Sequence, residues 1–411
     1  MNKLDLRLSS ERLFTRLDTL GAVGATPEGG VRRLALSDAD KDGRDLVTRW
    51  MKELGLSVRI DRIGNIFGLR AGQESLAPVM TGSHIDTVFN GGNLDGNLGV
   101  LAGLEVIETL NEAAIETRRP LVVAVFTNEE GGRFQPDMMG SLVYAGGYDL
   151  EKALNTADDQ GVVLGDELQR IGYAGDMACG EIIPSAFVEL HIEQGPILEQ
   201  EGVTLGAVEN LQGISWTEVI FSGQANHAGT TPMHLRHDAG YCAGALASFI
   251  HDLAKDIGEA QVATIGVIEL EPNIINVVPG RARVTVDLRN PDNARLVEAE
   301  RRLQVFLSEL AQAEGVVVQT KSLARFDPVQ FDHGIARCIE ENARALGHSC
   351  RRMTSGAGHD AQMMSRICPT AMIFTPSIKG VSHNPAEATT PEDVMAGAHV
   401  LLHTLLDLTR D

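Results

Sequence analysis

Leu121-Val122-Val123-Ala124-Val125-Phe126 is an unbroken apolar run, and few architectures can accommodate it. A strand with one wet face alternates polar and apolar side chains. A run that is apolar on both faces belongs to a strand covered from both sides, as in parallel sheets flanked by helices. Upstream, Leu101, Leu104, Ile107 and Leu110 recur at helical spacing from Gly99 onward, and before them Pro78-Val79-Met80 is a short apolar piece. Strand, helix and buried strand in this order predict an α/β domain with a mostly parallel sheet.

The flanking segments fit that frame. Leu13, Leu17 and Leu20 follow a Ser9-Ser10 cap, and Leu46, Val47, Trp50, Met51 and Leu54 share one face of a helix over about Asp38 to Leu54. Val58-Arg59-Ile60 alternates, and Asn65-Ile66-Phe67-Gly68 reads as an edge strand. The texture then changes. Ser215–Phe221, Val262–Leu270 and Arg281–Leu288 read as half-buried strands, and Ala239–Leu253 and Asn293–Glu314 as helices. This predicts a small α+β insert with one open sheet face, residues 210–326, splitting a catalytic domain made of 1–209 and 327–411. The buried-strand texture returns at Ala371-Met372-Ile373-Phe374.

Bulk composition removes whole classes of function. The formal net charge of −21 repels phosphate backbones and anionic membrane surfaces, and 4 % aromatic residues give no stacking platform for bases. Neither nucleic acid nor a membrane is an expected partner. The five cysteines are scattered without a CxxC pair, which predicts reduced thiols rather than a disulfide framework. The opening MNKLDLRLSSERLF has no apolar core of a signal peptide, so a cytoplasmic location is expected.

Metal-ligand residue types gather in five clusters: Gly82-Ser83-His84-Ile85-Asp86-Thr87, Gly91-Gly92-Asn93-Leu94-Asp95-Gly96, Asn128-Glu129-Glu130-Gly131, Glu189-Leu190-His191-Ile192-Glu193-Gln194-Gly195, and Val381-Ser382-His383-Asn384-Pro385-Ala386-Glu387. Most follow predicted strands, where a parallel sheet collects its functional groups. Mixed imidazole and carboxylate suits zinc, manganese, cobalt or nickel. A lone histidine, an Asp-Gly pair or a Glu-Glu pair is ordinarily core, turn or surface. Their joint occurrence beside glycines is what points to a metal site. Asp86, two residues after His84, can offer its carboxylate to the second imidazole N–H. Of the adjacent pair Glu129 and Glu130, one can bind metal while the other stays free as a base.

These clusters resemble the ligand set of the dinuclear aminoacylase/carboxypeptidase metallohydrolases. Three longer matches, Glu189–Gly195, Asn226-His227-Ala228-Gly229-Thr230-Thr231-Pro232-Met233 and Gly356-Ala357-Gly358-His359-Asp360, resemble the branch holding N-carbamoyl-L-amino-acid hydrolases, β-ureidopropionases and allantoate amidohydrolases. The resemblance runs over nearly the whole chain and implies two divalent metal ions per chain. By it, His84 and His191 would each bind a metal ion, Asp95 would bridge the two, and Glu130 and His383 would complete the set. Glu129 would be the general base for a hydroxide bridging the ions, and no ligand position is missing. His227 would polarise the scissile carbonyl, Arg289 would clamp a substrate carboxylate with help from Asn276, and Gln194, Ala357 and Gly358 would line the pocket.

The resemblance also implies that the insert acts as a lid and forms a homodimer, with His227 reaching the partner's site. Gly213-Ile214-Ser215-Trp216 is closer to the carbamoylase version than to the polar stretch of allantoate enzymes. The expected reaction is therefore hydrolysis of an N-carbamoyl-L-amino acid to amino acid, CO2 and ammonia. Allantoate is the alternative, with a dinuclear aminopeptidase or dipeptidase behind it; that enzyme would need an acidic partner for a substrate amine.

Overall fold

The computed structural model describes residues 6–258 and 260–410; the start of the N-terminal stretch read above, 1–5, lies outside the described residues. The chain divides into two compact units, one of residues 1–209 and 331–411, the other Asn210–Gln330. In chain order the strands are β1 (Ser57–Ile60), β2 (Ile66–Arg70), β3 (Val79–His84), β4 (Leu121–Phe126), β5 (Ala186–Ile192), β6 (Leu205–Leu211), β7 (Gly213–Ser222) and β8 (Asn226–His227). They continue as β9 (Val262–Glu271), β10 (Val277–Val278), β11 (Arg281–Asn290), β12 (Val317–Phe326), β13 (Val329–Gln330), β14 (Cys350–Ser355) and β15 (Thr370–Thr375).

In the first unit the strands lie in the order β1-β2-β4-β3-β5-β15-β6, with β14 also paired to β6. The centre is parallel, β4 to β3 to β5 to β15, while β1, β2 and β6 join antiparallel. Every residue of β3, β4, β5 and β15 is buried, the two-sided burial that the apolar run demands. Helices Asn97–Glu112 and Pro391–Leu408 pack on β5 and on each other, and the short helix Asp360–Met364 also packs on β5. One correction to the sequence reading concerns the edge. Ile66–Arg70 lies between β1 and β4, and the exposed border is β1, whose residues are at most half-buried.

Local signals explain the helix boundaries. Ser9 caps Ser10–Gly21 by accepting the Arg12 N–H, and Ser37 caps Asp38–Glu53 by accepting from Asp40. Leu13, Leu17 and Leu20 enter the core from the first helix.

The second unit is a four-stranded antiparallel sheet in the order β12-β7-β11-β9, packed on helices Ala239–Ile257 and Asn293–Glu314. β11 alternates residue by residue, burying Ala282, Val284, Val286 and Leu288 and turning Arg283, Asp287 and Arg289 to the opposite face. It has its own core, in which Val219, Phe221, Leu246, Leu303 and Leu307 are fully or almost fully buried. No described helix is long and apolar enough to cross a membrane, and no disulfide joins the five cysteines.

Candidate metal centre

The carboxyl ends of the parallel strands deliver the ligand types to one place. His84 is the last residue of β3, and Glu129 and Glu130 follow β4 after Thr127-Asn128. His191 lies one residue before the end of β5, opposite Phe374 of β15. His383 comes from the segment after β15, and Asp95 lies just ahead of the Asn97–Glu112 helix. Asp95 is the hub. Its Oδ1 is 3.1 Å from His191 Nε2 and 3.5 Å from His84 Nε2, and its Oδ2 is 3.4 Å from His383 Nε2. His383 Nε2 is 3.3 Å from Glu130 Oε2, and His84 Nε2 is 3.4 Å from Glu129 Oε2. Two ligand groups therefore share Asp95: His84 with His191, and Glu130 with His383.

The imidazole orientations follow from their outer partners. His84 Nδ1–H donates to the Asp86 carbonyl at 2.9 Å, and His191 Nδ1–H to the Ile192 carbonyl at 2.9 Å. Both rings thus turn Nε2 toward Asp95. Here the sequence expectation needs correcting. The acceptor is the backbone oxygen of Asp86, not its carboxylate, which stands 3.8 Å from the ring. That carboxylate instead takes the backbone N–H of Glu129 and Glu130, at 3.2 and 3.3 Å, and fixes the turn carrying both acids.

Two glycines are steric requirements of the hub. A Cβ on Gly96, whose φ is +65°, would lie 2.5 Å from the His84 ring, and one on Gly92 would lie 2.3 Å from the Glu387 carboxylate. Glu387 accepts the backbone N–H of Leu94 and Asp95 at 3.2 and 3.1 Å and the Ser382 hydroxyl at 2.9 Å. It ties the Asp95 loop to the His383 loop, a role the motif alone did not reveal. Gln194 donates its amide to Asp95 Oδ2 at 2.9 Å, leaving its carbonyl oxygen buried without a partner among the described residues. Asn128, Gln194 and His383 all have positive φ, at 55°, 57° and 52°. Such backbone strain in non-glycine residues concentrates where function over-determines geometry.

The electrostatics fit a cation. Burial pushes the Glu129 carboxyl well above its usual range, with the neighbouring acids adding to it. Burial and then the Asp95 charge push Glu130 up to about 8. Burial works against protonated His84, yet Glu129, Asp95 and Asp86 hold it well above the ordinary imidazole value. The bond to Asp95 raises His383 to about 9. Asp95 itself stays well below the carboxylate range despite burial, because His191, His383 and His84 all face it. With Nδ1 donating to a carbonyl, each Nε2 of His84 and His191 faces a carboxylate oxygen, a contact held by a proton on Nε2 or, in its place, by a metal ion. Mixed nitrogen and oxygen donors suit zinc, manganese, cobalt or nickel. Glu189, His191 and His359 also lie within ligand reach of one another. They are less available, since Glu189 accepts from Ser83 and Ala361, and His359 Nε2 pairs with Ser355.

A cavity of about 120 Å³ opens beside the hub, walled by Glu129, Glu130, Gln194, Ala357, Gly358 and Asp137 among others. The remaining sequence-nominated residues belong to the second unit. His227 on β8 pairs with Val277 of β10, and the Asn276 carbonyl accepts the Ala228 N–H at 2.9 Å. The backbone N–H groups of Gly229 and Thr230 both point at His227 Nδ1, at 3.1 and 3.2 Å. Nδ1 is therefore the acceptor, and the exposed Nε2 carries the donor proton. Arg289 lies within β11 rather than after it, held by Asp287 through contacts of 2.9 to 3.1 Å.

Comparison with known proteins gives this geometry its lineage. The model of peptidase family M20/M25/M40 matches residues 80–407. The N-carbamoyl-L-amino-acid amidohydrolase of Rhizobium meliloti is 40 % identical over 402 residues, 98 % of this chain and 97 % of that one. The ureidoglycolate hydrolase of Oryza sativa is 36 % identical, over 96 % of this chain and 84 % of that one. A crystal structure of a hydantoinase/carbamoylase family amidase from Burkholderia multivorans superposes with a TM-score of 0.97 at 45 % identity, covering 99 % of each chain. With such likeness end to end, the chain belongs to peptidase family M20/M25/M40, as a hydrolase of carbon–nitrogen bonds other than peptide bonds.

Proposed function

We propose that the chain hydrolyses N-carbamoyl-L-amino acids to the free amino acid, CO2 and ammonia. What carries the reading is the joint placement of His84, Asp95, Glu130, His191 and His383 around one carboxylate, with Glu129 left over beside them. Those five residues would hold two divalent ions, with Asp95 common to both. Such ions, when bound, polarise a carbonyl and make water acidic enough to attack near neutral pH.

The chain's own groups supply the rest. Glu129 takes the proton of the attacking water and passes it to the departing amino-acid nitrogen, a transfer suited to a carboxylate whose proton affinity burial has raised. The C–N bond breaks, the amino acid leaves as a neutral amine, and the carbamic acid left over decomposes to CO2 and ammonia. From the second unit, His227 Nε2–H is preset as a donor for the carbonyl oxygen as it gains charge. Arg289 offers a planar fork to the α-carboxylate, with Asn276 beside His227 assisting. A substrate carboxylate has to compete there with Asp287.

The likeness to a ureidoglycolate hydrolase supports a second ureido substrate class. A panel of N-carbamoyl-L-amino acids, N-carbamoyl-β-alanine, allantoate and ureidoglycolate, run on metal-reconstituted protein and again with chelator, separates them. N-Carbamoyl-L-amino acids should turn over fastest, and chelator should abolish turnover. Preference for ureidoglycolate or allantoate would replace the reading, and undiminished activity in chelator would remove the metal centre from it.

A further inference from the structure

Among the side chains that wall the cavity beside Asp95, one charged group has no task in the scheme above. Asp95, Glu130, His191 and His383 are assigned to ions and Glu129 to the proton. Gln194 is bound to Asp95, and His359 to Ser355. Ala357 and Gly358 have no polar side-chain atom. The remaining group is Asp137, a solvent-exposed residue whose carboxylate accepts its own backbone N–H.

Its position is built. Asn128 donates its amide to the Phe134 and Pro136 carbonyls, Met138 N–H to the Glu129 carbonyl at 2.7 Å, and Gln135 its amide to the Gly131 carbonyl at 2.7 Å. These bonds fold the loop after Glu130 back on itself. Gly131, at φ +63°, leaves no room for a Cβ, which would come within 2.9 Å of the Asp137 Cα and Cβ. The same fold thus delivers the base, a ligand and Asp137 to one cavity wall.

We infer that Asp137 is a specificity-determining residue that accepts an N–H from the acyl side of the scissile carbonyl, the terminal NH2 of a carbamoyl group. The inference rests on the function proposed above. The carbonyl carbon has two substituents, and a carboxylate in the cavity wall repels the one that bears the substrate's α-carboxylate, which leaves the acyl-side group to face Asp137. A carboxylate there rewards a substituent with N–H donors and penalises a hydrogen or a methyl, because the acceptor would lose water and gain nothing. The cavity favours ureido compounds over simple N-acyl amides. The amine of a glycyl dipeptide offers the same donor chemistry on the same side of the carbonyl.

The test compares kcat/KM for the N-carbamoyl, N-formyl and N-glycyl derivatives of one amino acid, in the unaltered enzyme and in Asp137→Ala and Asp137→Asn. In Asp137→Ala the carbamoyl-to-formyl ratio should fall about tenfold or more, the scale of one hydrogen bond to a charged acceptor. N-formyl hydrolysis should hold or rise, showing an intact centre, and in Asp137→Asn, which keeps an acceptor oxygen, the ratio should fall less. An unchanged ratio, or equal loss on both compounds, overturns the role of Asp137. If the unaltered enzyme ignores carbamoyl compounds but cleaves the dipeptide, and Asp137→Ala impairs that cleavage, Asp137 keeps its donor-binding role and the carbamoyl function falls instead.

Discussion

Glu129 and Glu130 are neighbours with opposite assignments, and the turn that carries them separates their carboxylates. Glu130 faces His383, Glu129 faces His84, and the Asp86 carboxylate fixes the backbone of both. Glu129→Gln should keep the fold and bind ions normally while kcat falls by roughly 10² or more, the usual scale for a lost general base. Metal content and turnover measured on the same preparation decide it; near-normal turnover would take Glu129 out of the mechanism. The candidate ligand types were legible in the sequence because they sit in motifs flanked by glycines. Their grouping was not, because linear spacing does not tell which histidine shares an Asp95 oxygen with which. Nor was Asp137 legible. It follows the Glu129-Glu130 motif by several residues, and only the folding back of the loop brings it into the cavity.

At the scale of the element, two loops meet through Glu387. It binds the backbone of one and the Ser382 hydroxyl of the other, so it orients Asp95 and His383 without touching the cavity. Glu387→Ala should weaken ion binding by about 10- to 100-fold, the range seen when the outer partners of ligands are removed, and Glu387→Gln, which retains an acceptor for the backbone N–H groups, should recover much of it. Competition with a chromophoric chelator reads this directly; unaltered affinity in Glu387→Ala would reduce Glu387 to packing.

Among elements, the strongly patterned ones were readable: the apolar run became β4, and the capped leucine repeat became the first helix. β12 and β14 went unread for physical reasons. Val317–Phe326 is exposed along most of its length and broken by a register shift near Ser322, so no burial period marks it. Cys350–Ser355 carries Arg351 and Arg352, paired with Glu201 and Glu340, and charged residues in succession break the apolar pattern of a strand.

At the scale of the whole molecule, the second unit leaves both borders of its sheet unpaired among the described residues. β9 and β12 are the outer strands, with Val262 and Ile268 exposed on one and Val317, Leu323 and Phe326 on the other. Open edges with exposed apolar side chains invite a further copy of the same surface. We expect a homodimer formed through this unit. Light scattering at micromolar concentration should give twice the chain mass, and a fully active monomer would rule it out.

The place of β15 has a consequence in time. It lies between β5 and β6, yet it is encoded about 180 residues after β5 ends. At about 5–20 residues per second, a ribosome needs on the order of ten to forty seconds to cover that distance. Throughout it, the nascent chain has β5 with one flank open and an unfinished cluster of acids at its tip. The strand that closes the sheet also brings His383 behind it, so covering that flank and completing the candidate ligand set are one late event in synthesis.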